Sequence, residues 1–127
     1  MSTYAIGDVQ GCRVELEQLL VKMKFDPASD TVWFLGDMIN RGPDNLGTLQ
    51  LIRSLGSSAR CVLGNHDLHF LAIALGRHKP VRKDTVGDLL NAPELPELVS
   101  WLRHCTLVHH DPTLGVAFVH AGLPPMW

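Results

Sequence analysis

The sequence lacks most of the features that would place it in a specialised class. Its 127 residues carry a formal net charge of -2 at pH 7, so no broad positive field gathers nucleic-acid phosphates, and any anion specificity has to come from a local site. Cysteine is scarce. Cys12, Cys61 and Cys105 are odd in number, share no CxxC spacing and sit in apolar stretches, which excludes a small secreted disulfide framework and reads as reduced, buried thiols. No stretch approaches the roughly 20 apolar residues of a membrane span. The start, MSTYAIGDVQG, has neither the basic residues nor the apolar run of a signal peptide. A cytoplasmic location follows as the expectation, with no membrane and no nucleic acid as partner. Low-complexity linkers and internal boundaries are also missing, and 46% of the residues are hydrophobic against 19% charged. Residues 1–127 are therefore expected to form a single domain with its own core.

What is present is a repeated unit. Thr3 to Gly7 is a short apolar run, and Glu15 to Met23 then shows helical spacing through Leu16, Leu19, Leu20 and Met23. Thr31 to Leu35 starts a second unit, which passes Gly36-Asp37 and Gly42-Pro43 into a helical pattern at Leu46, Leu49, Ile52 and Leu55. A third unit runs from Ala59 to Leu63, ends in Gly64-Asn65-His66-Asp67, and leads to a buried helix over Leu68 to Leu75. Alternation of this kind predicts an α/β fold, a mostly parallel sheet with flanking helices and active groups at the carboxyl ends of its strands. Gly76 to Asn91, with its basic stretch RHKPVRKD, is expected as a surface loop or short helical cap. Pro93 to His104 predicts another helix, and Gly115 to Val119 a last strand ending in His120-Ala121-Gly122. The chain then stops at Leu123-Pro124-Pro125-Met126-Trp127 without a polar tail, as expected of a domain cut at its C-terminus.

Four strand ends carry polar groups: Asp8 and Gln10, then Asp37, Asn40 and Arg41, then Asn65, His66 and Asp67, and last His120. Loops at strand ends are where function concentrates. Asp8 and Gln10, two apart, leave an extended backbone on one face and could hold one metal ion. Asp37 has two oxygens with which to bridge a pair of ions, while Asn65 and His120 offer an oxygen and an imidazole to the second. Oxygen and nitrogen ligands without thiolate suit Mn, Fe, Co, Zn or Mg rather than a structural zinc. Two ions about 3.5–4 Å apart activate a water and clamp the oxygens of an in-line displacement, which is the arrangement phosphate ester hydrolysis needs. Arg41 could grip two phosphate oxygens with its forked guanidinium. His66 could protonate the leaving oxygen as general acid, with Asp67 or another carboxylate orienting its ring.

The blocks GDVQG (7–11), GDMINRG (36–42), GNHD (64–67) and HAG (120–122) together resemble the calcineurin-like metallophosphoesterase superfamily. Its phosphoprotein-phosphatase branch shows GDxHG, GDxVDRG, GNHE and HGG on a four-layer αββα fold. The resemblance implies Asp8 and Gln10 as ligands of the first metal, Asp37 as the bridge, and Asn65 and His120 as ligands of the second. It further implies Arg41 as phosphate clamp and His66 as general acid, with Asn40 beside Arg41 in the substrate site. Gln10 stands where the pattern has His, Asn40 where it has the Asp that pairs with the catalytic His, and Asp67 where it has Glu. These departures point away from protein Ser/Thr phosphatases, the nearest alternative.

They point toward the bacterial branch that hydrolyses diadenosine tetraphosphate symmetrically to two ADP, which GNHDLH, WLR and HAGxPPxW also resemble. Two divalent ions, with Mn or Co favoured, and a dinucleoside polyphosphate as small-molecule partner are implied. Family members continue for about as many residues again and supply further ligand histidines, another phosphate-binding arginine and the rest of a second sheet. The expectation is hence that this chain alone binds the second metal weakly, or is an inactive metal-binding fragment awaiting its other half. An unfinished sheet edge offers a route to self-association.

Several residues attract a blander reading. His69 is expected as a helix-surface or packed histidine, and His109 and His110 as part of a solvated polar turn before the last strand. Arg77, Lys79, Arg82 and Lys83 read as wet surface. Trp33 and Trp101 read as core, and Trp127 as a residue whose packing partners lie further along the chain.

Overall fold

The run Thr31–Leu35 becomes β2, the middle strand of a three-stranded parallel sheet with β1 (Thr3–Ile6) and β3 (Ala59–Val62) on either side. The computed structural model describes residues 1–121; Gly122 of the last motif, the stop at Leu123–Trp127 and the packing of Trp127 lie outside the described residues. β2 shows no apolar–polar alternation because both of its faces are covered. Val32 and Phe34 point into the larger core, shared with the helices. Trp33 points the other way, onto Val62 and Phe118, with Leu35 packed against them.

The helices are α1 (Arg13–Lys22), α2 (Asn45–Ser54), α3 (Asn65–Ala74), the short α4 (Gly87–Leu90) and α5 (Leu95–Arg103). Leu16, Leu49, Ile52, Phe70, Leu89, Leu98 and Leu102 bring one apolar stripe of each into the larger core. Each such side chain removed from water contributes about 1.5–3 kcal/mol. α2 starts where the Asp44 carboxylate accepts a hydrogen bond from the Gly47 N–H at 2.8 Å, a cap whose loss costs about 1 kcal/mol. The α/β architecture is as expected, and no helix among the described residues is long and apolar enough to cross a membrane.

Two local expectations are corrected. Asn65, His66 and Asp67 do not lie in a loop: they form the first turn of α3, whose N-cap is Gly64. Asp67 is the reason, because its carboxylate reaches back to accept from the Gly64 N–H at 3.0 Å and so satisfies an amide that the helix leaves unpaired. His109 and His110 are not in a polar turn either. They belong to β4 (Val108–Asp111), which pairs antiparallel with β5 (Val116–Val119) in a second, two-stranded sheet. The His109 ring stacks on Trp33, centroids 4.6 Å apart, which makes an apolar contact of a residue that composition alone marks as polar. The turn itself falls at 112–115, where the Asp111 carboxylate accepts from the N–H groups of Thr113 and Leu114. Of the cysteines, all three are free; Cys61 is buried, while Cys12 and Cys105 are only partly so.

Candidate metal centre

The sheet brings the polar strand ends to one edge. The loop after β1 is laced to the loop after β2 by backbone hydrogen bonds from Gln10 N–H to Asp37 O (2.9 Å), Gly11 N–H to Met38 O (3.0 Å) and Asp44 N–H to Gly11 O (2.9 Å). Within these loops Asp8, Gln10, Asp37, Asn40 and Arg41 all take positive φ, between 46° and 79°. Left-handed backbone costs a non-glycine residue about 1–2 kcal/mol, and its concentration in two loops marks them as places where geometry has precedence over stability. Gly64, between β3 and α3, serves close approach rather than unusual φ. A Cβ there would lie 2.4 Å from Asp37 Oδ1 and 2.5 Å from the Asp37 amide nitrogen.

At the centre stand Asp8, Asp37 and His120, whose donor atoms lie within 4.8 Å of one another. His120 arrives from the end of β5 with Nε2 3.3 Å from Asp37 Oδ2 and Nδ1 3.8 Å from Asp8 Oδ1. Its Nδ1 also lies 2.8 Å from the carbonyl oxygen of Leu35. A carbonyl only accepts, so Nδ1 carries a hydrogen and Nε2 is the nitrogen that faces the cluster. Asn65 Oδ1 is 3.1 Å from that same nitrogen. An imidazole nitrogen, a carboxylate oxygen and the Asn65 amide thus converge. Turning the Asn65 amide over would let its NH2 donate to His120 Nε2 at 3.1 Å and to both Asp37 oxygens at 3.2 Å. In either orientation of the amide, carboxylate, imidazole and amide meet at one point, and a set of oxygen and nitrogen groups of this kind fits a borderline or hard divalent ion. Asp37 is nearly enclosed at 6% exposure and Asp8 open at 59%, so the cluster has a closed floor and a mouth.

The other expected site residues distribute unevenly. Gln10 lies in the Asp8 loop, tied through its N–H to Asp37. Arg41 is exposed at the turn that follows Asp37. The N–H of His66 donates to Asp37 Oδ1 at 2.9 Å, while its Nδ1 is enclosed and has no hydrogen-bond partner among the described residues. Asp67 does not orient that ring: its oxygens are taken by the N–H groups of Met38 and Gly64, both at 3.0 Å. Burial, with the Asp37 charge adding, pushes the Asp67 carboxyl up to about 6 in spite of those bonds. Asn40, expected against substrate, is fully buried. Its oxygen accepts from the N–H groups of Arg41 (2.8 Å) and Thr85 (3.0 Å), and its NH2 donates to Asp84 Oδ1 at 2.9 Å. The segment after Gly76 is thus bonded to the site loop rather than loosely capping it.

Asp84, absent from the sequence reading, is the centre of that attachment. It accepts from Asn40, from His69 Nε2 at 2.9 Å and from the Val81 N–H at 2.7 Å. Although burial alone would raise it, these hydrogen bonds hold the Asp84 carboxyl down at about 2. His69, read as a packed or surface residue, is Asp84's partner. Spacing gives no sign of this, since Asn40 and Asp84 are 44 residues apart.

A sequence model described as calcineurin-like phosphoesterase matches residues 1–126. The chain is 55% identical over its whole length to a symmetrical bis(5'-nucleosyl)-tetraphosphatase of Thioalkalivibrio sulfidiphilus and 56% identical to that of Cellvibrio japonicus, covering 47% of each. It therefore spans about half the length of the curated relatives it matches. A crystal structure of a candidate diadenosine tetraphosphatase superposes with a TM-score of 0.81 at 30% identity, over 99% of this chain and 56% of that one. A metallophosphoesterase from Sphaerobacter thermophilus shares the fold, with a TM-score of 0.61 at 24% identity over 86% and 43% of the two chains. Strand-end motifs, acceptor cluster and matched residues agree, and the chain belongs to the calcineurin-like phosphoesterase family.

Proposed function

We propose that this chain provides the Asp8–Asp37–His120 side of a two-metal centre that hydrolyses diadenosine tetraphosphate symmetrically to two ADP. The observation carrying the reading is the convergence of Asp8, Asp37 and His120, whose candidate ligand atoms lie within 4.8 Å of one another, with the Asn65 amide 3.1 Å from His120 Nε2. Asp8, Gln10 and Asp37 would hold one divalent ion and Asp37, Asn65 and His120 the other, Mn or Co being favoured. Such ions, when bound, supply charge for the transferring phosphoryl group and an acidic water. Asp37 would serve both ions: its Oδ2 lies 3.3 Å from His120 Nε2, its Oδ1 accepts from the His66 N–H, and its backbone is tied to the β1 loop. Leu35, through its carbonyl, keeps the His120 proton on Nδ1 and the other nitrogen free. Arg41 would grip phosphate oxygens at the open mouth, and His66, on the first turn of α3, would deliver the proton to the leaving ADP.

Over half of each bis(5'-nucleosyl)-tetraphosphatase relative lies beyond the matched span. Residues 1–127 are read as part of a single cytoplasmic domain acting on a small dinucleotide, with neither nucleic acid nor membrane as partner. Turnover of diadenosine tetraphosphate against a phosphopeptide, with Mn or Co, tests this. Preference for the dinucleotide with ADP as sole nucleotide product supports it; ATP plus AMP, or preference for the phosphopeptide, refutes it.

A further inference from the structure

Asn40 and Arg41 are consecutive left-handed residues, at φ +79° and +71°. Neither is glycine, so the turn persists only if its surroundings hold it. The Arg41 side chain gives no hold, being exposed and unpaired in any ion pair among the described residues. The hold comes from Asn40. Its N–H donates to Asn45 Oδ1 at 2.8 Å, its side-chain oxygen accepts from the Arg41 N–H, and its NH2 ends on Asp84. The Asp84 side chain is in turn 2% exposed, and its remaining oxygen is bound by His69 and by the Val81 N–H. A carboxylate this enclosed is costly unless its bonds are complete, and all of them converge on one outcome: a rigid backbone under an unsupported, solvent-facing arginine.

We infer that Asp84 and His69 are positioning residues for Arg41, acting through the Asn40 amide to present the guanidinium to a phosphate. This rests on the reading of Arg41 as a phosphate clamp. Asp84 would touch neither substrate nor metal. The arrangement also gives Asn40 its use, as the relay between a buried carboxylate and the backbone N–H of the clamp.

A double-mutant cycle on pyrophosphate affinity, measured calorimetrically with Mn present in the full chain, separates positioning from general support. Asp84→Asn is expected to weaken pyrophosphate binding about tenfold, the loss of one charge-assisted hydrogen bond, with Mn affinity unchanged. In the Arg41→Ala background the same substitution is expected to do nothing further. Equal losses in the two backgrounds overturn the inference. Arg41→Ala binding pyrophosphate as tightly as the unaltered chain overturns it by removing the clamp itself, a distinct failure. If Asp84→Asn does not fold, His69 serves: His69→Ala should weaken binding and His69→Gln, which still offers Asp84 an N–H, should restore it. Amide exchange at Arg41 adds a readout independent of activity, expected to speed up in Asp84→Asn. Unchanged protection at that N–H overturns the inference whatever the substrate proves to be.

Discussion

The two faces of the parallel sheet are packed very differently. On the helix side, Val32 and Phe34 meet a continuous core built from α1, α2, α3, α4 and α5. On the other side Trp33, Val62 and Phe118 make a cluster of three, and the hairpin resting on it leaves Val108, Leu114 and Val116 exposed. Asp8, Asp37 and Asn65 hang from the first, heavily packed layer, whereas His120 is delivered by the thin one. On the proposed reading metal affinity would draw on both layers, and the contrast predicts that stability and ion binding can be lost separately.

The contrast can be tested from its centre outward. Asp37→Asn removes the carboxylate clustered with Asp8 and His120 and, if these residues hold the ions as proposed, is expected to lower Mn affinity about a thousandfold, as one of a few ligands in a site worth about 10 kcal/mol. Titration calorimetry checks it, and near-normal affinity would refute the bridging role. Ile52→Ala, in the large core, should cost about 2–5 kcal/mol in urea unfolding while Mn affinity of the folded protein stays put. Phe118→Ala is expected to do the reverse: about 2 kcal/mol or less of global stability, since the hairpin detaches without opening the main core, but about tenfold in Mn affinity because His120 loses its support. Similar profiles for Ile52→Ala and Phe118→Ala would erase the distinction between the faces. Gly64→Ala drives a methyl into the Asp37 carboxylate and should cost about 1–3 kcal/mol by overpacking.

The smallest effect concerns pH. The Asp84 carboxyl sits at about 2 in the folded protein against an ordinary 3.8, so the unfolded chain binds the proton first as pH falls. Its contribution is present above about pH 4 and is lost as the pH drops through about 2. The urea midpoint should fall more between pH 5 and pH 2.5 in the unaltered protein than in Asp84→Asn. Parallel falls would show that the carboxylate is not what acid titrates.

Much of this was legible beforehand because the informative signals are local. Apolar runs ending in Gly-Asp or Gly-Asn marked β1, β2 and β3, and the helical spacing of Leu46, Leu49, Ile52 and Leu55 marked α2. The same motifs identified Asp8, Asp37, Asn65 and His120, which the fold does bring together. What escaped was set by partners distant in the chain. VHHD reads as polar until Trp33 is there for His109 to stack on. The start of α3 depends on a side chain three residues inside it, and Asn40 looked like a cleft residue because its partners, Asp84 and Thr85, lie in a stretch whose composition reads as wet surface.

The left-handed residues of the two site loops carry a last consequence, for anyone wishing to make this protein more robust. Gln10 and Arg41 hold φ of +51° and +71°, so glycine at either position would relieve about 1 kcal/mol of backbone strain and raise the melting temperature. Those are also positions where the proposed function wants the side chain. Relief of strain in the site loops therefore coincides with the substitutions most damaging to the proposed chemistry, whereas Lys24, left-handed at φ +54° beyond α1, could be relieved without that cost.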